Sequence, residues 1–250
     1  MTGRLDIVGL GPGAAEHRTL AAIEAVRGAQ VVVGYGPYVD QCADLLGPGH
    51  EVVRGTMGEE GARADEALAR AAAGARVALV SSGDAGVYGM AARTLARAAA
   101  LAPDARPDVH VVPGLTAALA AGALLGAPLA DDFAVLSLSD LHLPWERVER
   151  RLVAVADAGI ALCLYNPRSR ERTWQLHRVL ELLREHRPPD TAVGVVTDAA
   201  RAGQRVERST LAALDPERVT MRTVLVVAGE TAVQAGPWLV AERAGAGVAS

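Results

Sequence analysis

Val80-Ser81-Ser82-Gly83-Asp84-Ala85-Gly86-Val87-Tyr88-Gly89-Met90 sets a carboxylate and three glycines directly behind the apolar run Arg76-Val77-Ala78-Leu79-Val80. A short β-branched run, then glycines, then an Ala-rich stretch reads as strand, turn and helix, with the helix expected from about Val87 to Ala100. Asp84 then falls at the carboxyl end of a strand, where open α/β sheets bind ligands. Gly83 and Gly86 permit positive φ or close backbone approach. An Asp at this place also serves as a helix N-cap, and the motif alone divides evenly between capping and ligand holding.

Outward from this turn, short strands alternate with longer helical patterns. Leu5–Leu10, Gln30–Val33 and Val109–Val112 read as strands in the first half, and Phe133–Leu138, Ile160–Tyr165, Ala192–Val196 and Thr223–Val227 in the second. Helices are expected over Gly61–Ala73, Trp145–Ala156 and Arg170–His186. This alternation predicts the α/β class with mainly parallel sheets. Pro113-Gly114 ends a strand, and Leu115-Thr116-Ala117 opens a helix with Thr116 as its cap. Two α/β lobes, residues 1–113 and 114–250, are therefore expected, with the Gly/Ala tail Ala244–Ser250 frayed.

Half of the 250 residues are hydrophobic and 22% are charged, the usage of a compact α/β protein with a substantial core. Every Lys or Arg position is Arg, yet the net charge is −4 and aromatic residues make up 3%. That balance argues against nucleic acid as partner, since both phosphate neutralisation and base stacking lack their residues. Cys42 and Cys163 lie in unrelated segments, and the histidines are scattered without metal-ligand spacing, so neither disulfides nor a bound metal are expected. No segment approaches about 18 uncharged apolar residues, and Asp6 with a Gly/Pro loop interrupts the N-terminal region. A cytoplasmic protein without a membrane partner is the expectation.

Gly9, Gly11 and Ala14 satisfy G-x-G-x-x-A behind the first strand, the dinucleotide fingerprint. The ribose-binding acid that should end the second strand is missing, because Val31–Val33 runs into Gly34-Tyr35-Gly36-Pro37-Tyr38 with Asp40 only beyond it. Pro12 also removes an N–H that a phosphate cradle would use. A nucleotide-dependent oxidoreductase is thus a rival reading.

Four segments taken in order, Gly9–Gly13, Ser81–Met90, Val112–Ala117 and Leu164-Tyr165-Asn166-Pro167-Arg168-Ser169, resemble the tetrapyrrole methylases. More narrowly, Gly34–Asp40, the S-S-G-D-A-G-V-Y-G-M form of the middle motif and Ser137-Leu138-Ser139-Asp140-Leu141 with Pro144-Trp145 are similar to the corrin-ring subgroup that methylates carbon 17 and contracts the ring in cobalamin synthesis. The likeness runs from about Leu5 to Val227. It implies a homodimer of two-lobed chains with S-adenosylmethionine bound in a cleft between the lobes and an anionic tetrapyrrole as acceptor. By the same resemblance, Gly11, Pro12, Gly13, Ser82, Gly83, Asp84, Tyr88, Thr116, Ala117, Tyr165, Asn166, Gly194 and Thr223 contact the cofactor. The chain departs from the pattern in Ala14–His17, where the wider family carries an acid, and in Ala228-Gly229-Glu230, where the subgroup more often has Gly-Asn-Ser. A related methylase acting at another ring position is one alternative, and a non-enzymatic tetrapyrrole carrier is another.

Methyl transfer from a sulfonium asks mainly for positioning. Asp84 is expected to hold the cofactor or support the cationic donor. Ring contraction requires a group that takes a proton. Asp140 and His142, with Asp40 and Tyr38, are its candidates, against the plainer readings that Asp140 caps the helix opened by Pro144 and that Tyr38 packs on its lobe. Tyr38 and Arg168 are expected to meet the substrate, whose carboxylates suit guanidinium forks. Arg147, Arg150, Arg151, Arg170 and Arg172 are the other members of the densest basic groups, and as they alternate with Glu146, Glu149 and Glu171, most of them read as solvated helix faces.

Overall fold

The computed structural model describes residues 3–141, 143–169 and 171–242. The chain divides into two compact units, Met1–Ala117 and Ala118–Ser250.

The first unit holds β1 (Arg4–Gly9), α1 (Leu20–Gly28), β2 (Val31–Tyr35), α2 (Gly36–Gln41), β3 (Glu51–Gly55), α3 (Glu60–Ala72), β4 (Arg76–Ser81), α4 (Ala91–Ala99) and β5 (Asp108–Val112). The sheet order is β3-β2-β4-β1-β5, and every pair is parallel. Successive strand side chains point to opposite faces. Leu5, Ile7, Val31, Val33, Val77 and Leu79 accordingly pack with α3 and α4, while Val8, Val32, Ala78 and Val80 pack with α1 and α2. Both faces are covered, which is why these strands are near-continuous hydrophobic runs. Because β4, β1 and β5 are neighbours, the loops behind Ser81, Gly9 and Val112 gather at one edge of the sheet.

The second unit starts along α5 (Ala117–Leu125) and continues through β6 (Gly126–Ala127), β7 (Phe133–Ser137), α6 (Trp145–Asp157), β8 (Ala161–Tyr165), α7 (Trp174–His186), β9 (Ala192–Thr197), β10 (Arg205–Thr210), β11 (Thr223–Val227), β12 (Ala232–Ala235) and β13 (Trp238–Ala241). Its main sheet runs β10-β9-β11-β8-β7. Here the expectation of parallel pairing holds for β7 with β8 and fails for the other three pairs, which are antiparallel. Arg205–Thr210 follows β9 after a short turn and returns beside it without a crossover helix, and β11 runs in the same direction as β10, so it opposes both β9 and β8. Val148 and Leu152 of α6 and Leu176, Val179, Leu180 and Leu183 of α7 cover one face of this sheet. A small sheet of β12, β13 and β6 completes the unit.

Two helices begin later than their sequence suggests. α4 starts at Ala91, because Tyr88 holds φ +55° and a left-handed residue cannot continue into a right-handed helix. α7 starts at Trp174, because the Ser169 N–H donates to the Arg172 carbonyl and the Ser169 hydroxyl accepts from the Arg172 N–H, closing a turn before it. The tail Ala244–Ser250 lies outside the described residues. Among the described residues no helix is long and apolar enough to cross a membrane.

Candidate functional site

In the first unit, two glycine loops are laced together by main-chain bonds, and a third packs against them. The Gly11 N–H donates to the Gly83 carbonyl at 3.0 Å, and the Gly83 N–H donates to the Gly11 carbonyl at 2.7 Å. Just before them, the Leu10 N–H donates to Ser81 at 2.8 Å. The fit leaves no space for side chains. A Cβ on Gly114 would stand 2.3 Å from the Gly83 carbonyl oxygen, and one on Gly9 would stand 2.8 Å from both the Gly83 oxygen and the Gly114 nitrogen. At Gly83 the situation reverses: φ is +69°, and nothing lies within 4 Å of where a Cβ would stand. Packed glycines beneath and an open glycine above make a main-chain cradle at strand carboxyl ends, the place and chemistry suited to a small polar ligand.

Asp84 organises this cradle. Its Oδ1 accepts from the Gly86 N–H at 2.7 Å and the Val87 N–H at 3.1 Å, while Oδ2 accepts from the Gly114 N–H at 2.9 Å. One carboxylate therefore ties the β4 loop to the β5 loop. It caps the turn, whereas the N-cap position of α4 is Met90, three residues beyond the start expected for that helix. Tyr88 is more than half exposed at its positive φ. For an aromatic residue that backbone costs about 1–3 kcal/mol and marks a site of interest. Gly11 and Pro12 are buried, Gly13, Ser82 and Thr116 half-buried. The Ser82 hydroxyl lies 3.4 Å from the Gly11 carbonyl oxygen, and Ala117 opens α5.

Tyr38 packs edge-on against Tyr35, with ring centroids 5.2 Å apart, and joins the core under α2. Asp40, the other candidate of this segment for the proton of ring contraction, is exposed and forms an ion pair with Arg54.

In the second unit, one main-chain bond joins the loops, from the Leu138 N–H to the Tyr165 carbonyl at 2.9 Å, and side chains do the rest. The Tyr165 hydroxyl accepts from the Ala118 N–H at 2.6 Å. Asn166 adopts φ +50°, which Asn tolerates, and its Nδ2 donates to Ser137 Oγ at 2.9 Å. Arg172 then donates through one nitrogen to the carbonyls of Leu138 and Asn166, at 3.1 and 2.9 Å. These bonds fix the loops behind β7 and β8 to each other. Arg172 was expected on a solvated face, and the structure corrects this: a half-buried guanidinium satisfies two loop carbonyls that have no strand partner. Exposed Arg147, Arg150 and Arg151 do fit the solvated reading.

Asp140 does not cap α6, whose N-cap Pro144 receives no side-chain bond. Its Oδ2 instead accepts from Nε2 of the buried Gln175 at 3.0 Å. His142 and Arg170 lie outside the described residues. The Arg168 guanidinium pairs with Glu217 and donates to the Pro216 carbonyl at 3.1 Å. Gly194 is buried where a Cβ would meet Leu125 Cδ1 at 2.2 Å, so it makes room for α5 on β9. Thr223 is 2% exposed and shares a 2.8 Å hydroxyl contact with Thr197. Gln41, Ser137, Arg172 and Gln175 were missed by sequence reasoning. Gln41 directly follows the Gly34–Asp40 segment, and Ser137 opens another quoted segment, so adjacency was the available signal. Among the described residues no three His, Cys, Asp or Glu side chains gather as a metal site.

The profile of the Tetrapyrrole (Corrin/Porphyrin) Methylases matches residues 4–215. The chain belongs to the tetrapyrrole methylases. This methylase is 42% identical over 227 residues to a probable cobalt-factor III C(17)-methyltransferase of Salmonella typhimurium, covering 91% of this chain and 93% of that protein. It is 43% identical over 229 residues to a precorrin-3B C(17)-methyltransferase of a Sinorhizobium species, covering 91% and 89%. The crystal structure of the methyltransferase CobJ superposes with a TM-score of 0.92 at 37% identity, covering 96% of this chain and all of that one. A uroporphyrin-III C-methyltransferase from Thermus thermophilus, solved in complex with S-adenosylhomocysteine, superposes at 0.68 with 26% identity, covering 90% and 92%.

Proposed function

We propose that this methylase transfers a methyl group from S-adenosylmethionine to carbon 17 of precorrin-3B, or of its cobalt-bearing counterpart, with contraction of the macrocycle. The observation that carries this reading is the 42–43% identity to two C(17)-methyltransferases across nine-tenths of the chain. The glycine cradle supports the choice of cofactor. Open space at Gly83, over the packed Gly9 and Gly114, admits a ligand against main-chain groups. When bound, the sulfonium supplies an already activated methyl group.

The chain's own residues then have few tasks. Gly11, Pro12, Gly13, Ser82, Gly83 and Tyr88 hold the donor, with Thr116, Ala117, Tyr165 and Asn166 as further proposed contacts. Asp84 acts as a positioning residue, since three backbone N–H groups engage its two oxygens. Gly194 and Thr223, buried against Leu125 and Thr197, are assigned a supporting role within the second unit. Asp140 is assigned the proton that leaves the macrocycle's hydroxyl during ring contraction, with Gln175 orienting it. Arg168 and Tyr38 are assigned to the acceptor side. A homodimer in the cytoplasm belongs to the same proposal, on family likeness and on two free, buried cysteines that suit a reducing compartment.

Calorimetry of the pure protein with S-adenosylhomocysteine and with NADH, followed by turnover of precorrin-3B, tests the reading. Heat with the first ligand alone and a ring-contracted, 17-methylated product are expected. Binding of NADH alone, or a methyl group at another ring carbon, overturns it.

A further inference from the structure

Gln41 closes α2, and no motif draws it into the site. Yet its Nε2 lies 2.8 Å from the Gly11 carbonyl oxygen and 3.3 Å from that of Leu10, two consecutive acceptors in the loop behind β1. Two acceptors facing one nitrogen demand an amide donor there. The Gln41 main chain is itself held. Arg18, whose side chain is 4% exposed, donates to the Gln41 carbonyl and pairs with Asp44 at 2.7 Å. The Gly11 carbonyl also accepts from the Gly83 N–H, so two separate elements grip one oxygen at the centre of the glycine cradle.

The geometry points to Gln41 as a positioning residue for the donor-binding loop: its amide fixes the Gly11–Pro12 peptide, and cofactor affinity depends on a hydrogen-bond donor at that one atom. The inference rests on the methyl-donor reading above. A carboxylate in its place would oppose two carbonyl oxygens while ionised and would regain a donor once protonated. The charged groups around it are Arg18 and Asp44 on its main-chain side, with Asp40 paired to Arg54 one residue earlier.

Calorimetry with S-adenosylhomocysteine on the wild type, Gln41→Glu and Gln41→Met at pH 5 and pH 8 tests this, with circular dichroism reporting the fold. Affinity of Gln41→Glu should fall about tenfold or more at pH 8, the order expected for a buried acceptor left unmatched. It should recover to within about threefold of wild type at pH 5, as a carboxyl raised from its usual range near 4.3 by burial and by facing carbonyls takes up a proton. Gln41→Met should bind weakly at both values, and the wild type should change little between them. In turnover, KM for the donor should rise while KM for the macrocycle holds. Wild-type affinity in either variant at pH 8, or a Gln41→Glu protein that is unfolded at pH 8, overturns the inference. If Gln41→Met fails to fold, the two pH values of Gln41→Glu still decide. A wild type that gives no heat with S-adenosylhomocysteine removes the donor reading itself and this inference with it.

Discussion

The two units build their loop clusters from different materials. In the first, the loops behind β1, β4 and β5 are fixed by main-chain bonds among glycines, with the Asp84 carboxylate and the Gln41 amide as the joining side chains. In the second, the loops behind β7 and β8 share one main-chain bond, from Leu138 to Tyr165, and are fixed further by the side chains of Asn166, Ser137 and Arg172, while the Tyr165 hydroxyl reaches Ala118 in α5. The sheets account for the contrast. Three adjacent parallel strands deliver three loops to one edge, close enough for backbones to touch if side chains are absent. The mixed sheet has only β7 and β8 delivering loops side by side in parallel, so longer side chains span the remaining gaps. The first cluster should therefore be sensitive to added atoms, and the second unit to lost ones.

The largest effect is expected from removing atoms at Arg187 in the second unit. This side chain is 6% exposed and donates to four carbonyls: Val155 and Ala156 in the last turn of α6, Ile160 before β8, and Ala228 after β11. Burial lowers its pKa from the usual arginine value, with Glu230 acting against that shift. It stays charged, and a cation at the C-terminal carbonyls of α6 also complements the helix dipole. Arg187→Met keeps the stem and removes every donor. Charge-assisted bonds contribute about 1.5–3 kcal/mol each and do not add simply, so a loss of about 4 kcal/mol is expected in urea unfolding. A loss under about 1 kcal/mol would mean that water replaces the guanidinium at all four carbonyls.

Adding atoms to the first unit comes next. Gly114→Ala would drive a methyl group to 2.3 Å from the Gly83 carbonyl oxygen and 2.6 Å from that of Gly9, both backbone. Neither can swing aside as a side chain could. Overpacking of this kind costs about 1–3 kcal/mol. The larger consequence is functional, because relief requires the β1, β4 and β5 loops to part. Binding of S-adenosylhomocysteine should disappear while the variant still folds. Retained affinity would show that the cradle is not where the cofactor rests. Gly28→Ala, where a Cβ meets nothing within 4 Å, is the control for backbone entropy alone.

These contrasts also explain what the sequence disclosed. The first unit's strands were legible because a sheet covered on both faces demands unbroken runs such as Val31–Val33 and Val77–Val80. Glu51–Gly55 and Arg205–Thr210 escaped notice because edge strands mix Val with Glu and Arg, and they pair with one neighbour each. Antiparallel pairing in the second unit was equally hidden, since Ala192–Thr197 and Thr223–Val227 have the same composition in either direction. At the site, glycines and Asp84 announced themselves by type and spacing. Gln41, Ser137, Arg172 and Gln175 did not, because each matters through a partner distant in sequence: 30 residues to Gly11, 29 to Asn166, 34 to Leu138 and 35 to Asp140. Local reading finds a residue whose role is local.

The gentlest probe of the comparison needs no stability change, because each unit carries one free buried cysteine. Cys42 follows the six-residue helix α2, and Cys163 sits in the middle of β8. Burial pushes the Cys42 thiol up to about 11 and the Cys163 thiol up to about 12, with Arg18 partly opposing the shift at Cys42. Neither reacts as a thiolate at pH 8 until its surroundings open. A short helix at the end of a sheet opens more readily than a central strand hydrogen-bonded on both sides. A thiol reagent should therefore label Cys42 first, with Cys163 following at the rate of global unfolding. S-adenosylhomocysteine should slow Cys42 further, since α2 is tied through Gln41 to the Gly11 loop. If both thiols react together and the ligand slows them equally, the two units open as one, and the separate sensitivities argued for Gly114 and Arg187 merge into a single cooperative transition.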